Sequence, residues 1–172
     1  MEKKQVFEQP VKLEVNVIDP DQADFDVLKK DIFELMKVNW GEKALEDPNF
    51  TPERVDELLK NTKNVNIILK TPEGKFIGYM MAIPDEDEPE GEAIYIESTD
   101  IYPDYQGKRL VGKLSRILEE EAKKRGYKYM TRDSAVGNGY ADAIERYYKE
   151  RIVSKRDHDS EYGLQRYFKI RL

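Results

Sequence analysis

Ile101-Tyr102-Pro103-Asp104-Tyr105-Gln106-Gly107-Lys108-Arg109-Leu110-Val111-Gly112-Lys113-Leu114 is the stretch around which the rest of the chain can be ordered. Upstream of it, Ala93 to Ile101 reads as a β-strand. Pro103 stops that strand, because proline has no N–H to give to a ladder. Downstream, Leu110, Val111, Leu114, Ile117, Leu118 and Ala122 recur at helical spacing, so a helix is expected over Leu110–Arg125, with Gly126 just past its end. A strand that feeds a helix through a short polar loop gathers unsatisfied N–H groups and partial positive charge at the helix start. That is the physical basis of phosphate binding. Lys108, Arg109 and Lys113 add cations at the same place.

Upstream of this unit the periodicities alternate. Val11 to Ile18 has period two and predicts a strand with one polar face, ended by Asp19-Pro20-Asp21. Phe25, Leu28, Ile32, Leu35 and Met36 predict an amphipathic helix over residues 22–38. Trp40-Gly41 and Asp47-Pro48 mark a loop. Thr51-Pro52-Glu53-Arg54 starts a second helix, with Thr51 as N-cap and Pro52 in the first turn. Val65–Leu69 and Phe76–Ile83 are strands joined by the turn Thr71-Pro72-Glu73-Gly74. Residues 85–92, Asp-Glu-Asp-Glu-Pro-Glu-Gly-Glu, form an acidic connection. Downstream, Tyr127–Arg132 is a strand, Tyr140–Lys149 a helix, and Ile152–Arg156 and Gln165–Leu172 are closing strands. The order β-α-α-β-β-β-α-β-α-β-β predicts a mixed α/β fold: a mostly antiparallel sheet of six to seven strands with helices on both faces. No repeat or linker divides residues 1–172, so one domain is expected.

Composition narrows the function. The chain has 172 residues, no cysteine, one histidine and a formal net charge of -6. Disulfides, thiolate nucleophiles, cysteine-ligated metals and multi-histidine metal sites are excluded. The acidic balance argues against nucleic acid, which calls for a basic field. Apolar runs are too short for a membrane span. Met1-Glu2-Lys3-Lys4-Gln5 is not followed by an apolar stretch, so it does not read as a signal peptide and a cytoplasmic location is expected. His158, in Arg156-Asp157-His158-Asp159-Ser160, reads as solvated surface in a charged turn. The acidic connection 85–92 reads as a solvated loop that could also steer a cationic substrate.

The element order and the 101–114 stretch resemble the GNAT family of N-acetyltransferases, in which a strand ending in an aliphatic residue runs through x-Pro-x-x-Arg/Gln-Gly-x-Gly-x-Gly/Ala into a helix. Ile101, Pro103, Tyr105, Gln106, Gly107 and Lys108 match in register. The two later glycines of the pattern fall at Arg109 and Val111, and Gly112 follows one position late. The resemblance implies an enzyme that binds acetyl-CoA and uses no metal. Backbone amides from Arg109 through Leu110, Val111 and Gly112 to Lys113 would hold the pyrophosphate, with Gln106, Gly107 and Lys108 leading into them. The backbone of Ile101 and Tyr102 would pair with the pantetheine arm. Glu97, four residues before the strand end, would accept the amine proton, and Asp100 is the weaker neighbouring carboxylate. Ala143-Ile144-Glu145-Arg146-Tyr147 resembles the family helix whose tyrosine protonates the leaving sulfur. That register selects Tyr147, with Tyr148 as the competing residue, and Asn138 would reach the pantetheine if its Gly137-Asn138-Gly139 loop bends toward it. Trp40, Phe50 and Tyr79 could line the acceptor pocket or pack in the core.

The implied acceptor is a primary amine on a small molecule or peptide, and two copies could pair through Ile152 to Leu172. The reading of a different class is a non-catalytic module on the same fold that binds an acyl-CoA or a protein partner.

Overall fold

The structure, a computed structural model, describes residues 12–21, 23–47 and 50–172. The expected first strand residue Val11, Gln22 of the first expected helix and Pro48 of the loop lie outside them. Eleven strands and helices follow in the order β1 (Glu14–Val17), α1 (Phe25–Trp40), α2 (Pro52–Lys60), β2 (Val65–Lys70), β3 (Phe76–Pro84), β4 (Ala93–Ile101), α3 (Leu110–Lys124), β5 (Tyr129–Ala135), α4 (Tyr140–Tyr148), β6 (Ile152–Ser160) and β7 (Gly163–Arg171). The strands form one seven-stranded sheet in the order β1-β2-β3-β4-β5-β7-β6. Every neighbouring pair is antiparallel except β4 and β5. Those two are joined through α3, as a parallel pair requires a crossover.

Helices cover both faces, as the alternation along the strands demands. Ile67, Ile77, Met80, Ile94, Met130 and Phe168 turn to the face covered by α3 and α4, where Leu114, Leu118, Ala141, Ile144 and Tyr148 meet them. Ile68, Phe76, Tyr79 and Met81 turn to the other face, against Leu28, Ile32, Leu35 and Met36 of α1 and Val55, Leu58 and Leu59 of α2. Local capping sets the helix limits. Asp24 accepts from the Val27 N–H at the start of α1 and Thr51 from the Arg54 N–H at the start of α2.

Three boundaries differ from expectation for physical reasons. The main-chain N–H groups of Gly126 and Tyr127 fold back onto Lys123 and Ala122 carbonyls to close α3, so β5 begins at Tyr129 rather than at Tyr127. β5 then continues to Ala135 because β7 pairs with it that far. β6 runs on to Ser160, and the turn to Gly163 is tied by Ser160 Oγ. His158 is therefore a strand residue paired opposite Gln165, not part of a turn. β6 is also the outer edge of the sheet, and its Lys155, Arg156, Asp157 and Asp159 are charges of the kind that deter edge-to-edge pairing.

Candidate active site

The site begins where two strands part. β4 and β5 are paired only over Ala93–Tyr95 and Tyr129–Thr131. Beyond that, β4 stays with β3 and β5 goes with β7, so a wedge opens between them. A bulge lies at the apex: Met81 faces Ser98 and Ala82 faces Ile96, leaving Glu97 as the extra residue of β4. A bulge bends its strand and re-aims the side chain there. The Tyr102 N–H bonds to the Ile77 carbonyl. By the alternation of an antiparallel ladder, Thr99 and Ile101 then turn their main-chain groups away from β3 and into the wedge. Thr99 Oγ1 and Arg132 Nε, on the two banks, are buried without hydrogen-bond partners.

At the wide end of the wedge lies the expected anion loop. Pro103–Tyr105 forms one 3-10 turn, and α3 starts at Leu110. Gly107 has φ 74° and Arg109 has φ 59°, ψ 24°, the left-handed region. Arg109 thus occupies the backbone conformation that a glycine would take most cheaply, at the position where the family pattern has one. No side chain caps α3 and its first turn has no acidic residue, so the N–H groups of Leu110, Val111 and Gly112 point outward with Lys108, Arg109 and Lys113 around them. Val111 is 41% exposed and stands clear of the loop's inner side, and a side chain at Gly112 would meet open space. These donors fit a pyrophosphate.

Ile101 and Tyr102 behave differently from one another. Tyr102 has both main-chain groups committed, its N–H to Ile77 and its carbonyl to the Tyr105 N–H. The Ile101 carbonyl accepts from Gln106 Nε2 at 2.9 Å and from Asn39 Nδ2 at 3.1 Å. Gln106 therefore anchors the loop to the end of β4, and the edge open to an extended ligand lies over Glu97 to Ile101.

Glu97 borders a cleft of about 560 Å³ on the α1–α2 face, lined also by Arg54, Tyr95, Asp85, Asp133 and His158. Burial holds its carboxyl above the usual carboxylate range, and Arg54 offsets this only partly. Asp100 is also raised by burial. It accepts from Asn39 Nδ2 (2.8 Å), Trp40 Nε1 (3.0 Å) and Tyr79 OH (3.1 Å), bonds that favour its ionised form and fix α1 to β4. Tyr79 and Phe50 pack into the α1–α2 core and Trp40 is exposed; none of the three lines the cleft.

On α4 the adjacent tyrosines have opposite surroundings. Tyr147 is 61% exposed, whereas Tyr148 is 4% exposed, beneath α3. Their rings meet edge to face at 4.7 Å. Burial, with Glu119 beside it, pushes the Tyr148 hydroxyl up to about 12, so it is a poorer acid than a solvated tyrosine. Asn138 is exposed, and its side-chain carbonyl accepts from the Tyr140 N–H at the start of α4.

Several cleft residues escape a reading of sequence. Asp133 accepts from Tyr95 OH at 3.1 Å and lies 2.8 Å from His158 Nε2, which raises the His158 pKa. Asp85, the first residue of the acidic connection, accepts from Thr131 Oγ1 and from Tyr167 OH. Only the period-two placement of Tyr95, Asp133 and Tyr167 could have hinted at a shared face; their meeting depends on the strand order. Among the described residues no cluster of three or more His, Asp and Glu could hold a metal ion, and no helix is long and apolar enough to cross a membrane.

The sequence model of the GNAT acetyltransferase family matches residues 29–151, which span the wedge, the anion loop and α4. The chain belongs to the GNAT acetyltransferase family. GNAT enzymes transfer acetyl groups from acetyl-CoA, and the wedge and anion loop of this member fit that donor. No curated protein matches the chain in sequence. Solved structures share the GNAT fold at low identity. An aminoglycoside 6'-N-acetyltransferase from Enterococcus faecium aligns with a TM-score of 0.64 and 15% identity over 92% of this chain and 96% of that one. An aminoglycoside 6'-N-acetyltransferase complexed with coenzyme A gives 0.65 and 15% over the same shares. The ribosomal-protein-S18-alanine N-acetyltransferase from Escherichia coli gives 0.63 and 14%, over 94% and 93%.

Proposed function

We propose that this GNAT acetyltransferase moves the acetyl group directly from acetyl-CoA to a primary amine, within one domain and without an acyl-enzyme. The observation that carries the reading is the continuous path from the α3 N-terminus along the open edge of β4 to Glu97 at the apex. The main-chain N–H groups of Leu110, Val111 and Gly112 and the cations Lys108, Arg109 and Lys113 hold the pyrophosphate; the Lys113 N–H is turned inward to the Arg109 carbonyl, so that residue contributes its charge. Thr99 and Ile101 pair with the pantetheine arm, and a β4 N–H supports the carbonyl oxygen as charge develops there. Glu97, above the usual carboxylate range, takes the ammonium proton directly or through water. The amine nitrogen bonds to the carbonyl carbon, the carbon–sulfur bond breaks, Tyr147 gives its proton to the sulfur, and the second proton shed by the nitrogen restores the tyrosine.

The acceptor class follows from the cleft. Asp85, Glu86, Asp87, Glu97 and Asp133 outnumber Arg54, Arg156 and His158, and Arg156 is paired with Asp87 at 3.2 Å. This balance supports a cationic amine. Of the structural neighbours above, two are named for aminoglycosides and one for an alanine of a ribosomal protein, so both acceptor kinds belong in the panel. The test is thermal shift with acetyl-CoA followed by thiol release with aminoglycosides, polyamines, amino acids and peptides. Stabilisation and acceptor-dependent thiol release are expected. No stabilisation by acetyl-CoA would refute the reading.

A further inference from the structure

Arg132 is the first residue of β5 beyond its pairing with β4. It lies opposite the wholly buried Phe168 of β7, so its side chain leaves the sheet on the face that α3 and α4 cover. The residue is half-buried; among the described residues its side chain makes no hydrogen bond or ion pair, and its Nε is buried. The groups that act on its charge are Tyr148 of α4 and Tyr95 of β4. Tyr148 belongs to the core under α3, whereas Tyr95 lines the acceptor cleft on the opposite face. The register alone sets Arg132 at the apex, one residue past the last β4–β5 pair, Tyr95 and Thr131.

A half-buried cation whose Nε is taken out of water without a partner is costly, and an apolar side chain of similar volume would be cheaper. Arginine cannot escape by losing its proton. The contrast within this chain is Arg151, which grips the buried Glu119 through both guanidinium nitrogens at 2.7 and 3.2 Å. Arg132 has no such carboxylate, and desolvation works against its charge. An anion brought by a ligand would supply the partner that the buried Nε lacks. A donor held by its pyrophosphate at the α3 N-terminus and lying along β4 from Ile101 toward Glu97 brings its sulfur to the apex, where Arg132 stands. Tyr147 touches the ring of Tyr148, the neighbour of Arg132, so the proposed acid is close by.

We propose that Arg132 is a catalytic cation of the transfer, whose guanidinium meets the coenzyme A sulfur and holds its negative charge as the carbon–sulfur bond breaks. The amine nitrogen bonds to the carbonyl carbon and the electron pair of the broken bond goes to sulfur. Arg132 stabilises that charge without giving up a proton, and the proton that restores the thiol comes from Tyr147. The inference rests on the acetyl-CoA reading above.

The test compares coenzyme A with desulfo-coenzyme A, binding each to the full chain by calorimetry across the titration range of the thiol. A cation at the sulfur lowers the thiol pKa on binding. Affinity for coenzyme A should therefore climb as pH rises toward the free thiol's pKa, by about tenfold for each unit of lowering. Desulfo-coenzyme A should not show that climb. Titration of Tyr95, Tyr148, or Glu119 and Arg151 behind it would move both ligands alike. R132Q should collapse the coenzyme A curve onto the desulfo curve, and R132K should restore part of the difference. If R132Q does not fold, the wild-type pair of curves still decides. Identical curves for the two ligands in the wild type would overturn the proposal and leave the acetyl-CoA reading standing. Binding of neither ligand would overturn both. Faster turnover of succinyl-CoA than of acetyl-CoA, lost in R132Q, would overturn it by assigning the cation to the acyl end.

Discussion

Replacing Glu97 with glutamine probes the base with almost no change of shape. The side chain sits at the β4 bulge, half-buried, where the Arg54 charge offsets part of the effect of burial. A positioned general base contributes about 10²–10⁴ in rate. At about 1.36 kcal/mol per tenfold, E97Q should raise the barrier by roughly 3–5 kcal/mol. Thiol release with the best amine should fall by that factor, while acetyl-CoA affinity stays put because Glu97 is not part of the anion loop. In the wild type, kcat/KM should fall on the acid side with an apparent pKa above that of an ordinary glutamate, and E97Q should lose that limb. Stability moves the other way. The folded-state pKa of Glu97 is raised, so its burial costs nothing at low pH, and stability is lost as pH rises from the unfolded pKa through the folded one. The neutral amide removes this penalty, so E97Q should be at least as stable as wild type at neutral pH by thermal melting. Undiminished turnover with an unchanged acid limb would refute the base role.

Other expectations follow from single contacts. R109G relieves the left-handed strain at the start of α3, roughly 1–2 kcal/mol, so the melting temperature should hold or rise, while the loss of a loop cation should weaken acetyl-CoA binding in calorimetry; undiminished affinity would remove the Arg109 charge from the pyrophosphate site. V111G should leave binding intact, because Val111 faces solvent. Y147F should lower turnover more than acetyl-CoA affinity, whereas Y148F should mainly lower the melting temperature; unchanged turnover in both would remove tyrosine from the mechanism. R151A strips the partner from buried Glu119 and should cost about 3 kcal/mol, seen as a shift in denaturant midpoint; a shift near zero would contradict the burial argument.

Much of this architecture is local and so could be read along the chain. The Thr51 cap, the proline in the first turn of α2, the Pro103 stop and the apolar stripe of α3 each act within one or two turns of backbone. They yield the element order and the anion loop without knowledge of any distant contact. Glu97 and Tyr147 could be named as candidates through the resemblance of their stretches to the GNAT motifs. The sequence pattern also shows glycine positions filled by Arg109 and Val111, but not that Arg109 adopts the glycine-like conformation.

The tertiary structure decided the rest, because it depends on strands meeting across long separations. The parting of β4 from β5 comes from β5 choosing β7 as its partner, and that opens the wedge. The bulge that turns Glu97 into the cleft exists only relative to β3. His158 reaches Asp133 from 25 residues away, and Tyr167 reaches Asp85 from 82, so a strand taken for a charged turn and a connection taken for solvated loop became walls of one cleft. Arg132 reads in sequence as an ordinary strand cation. Only packing shows its Nε buried without a partner, since a side chain's lack of a counter-charge is a property of everything around it.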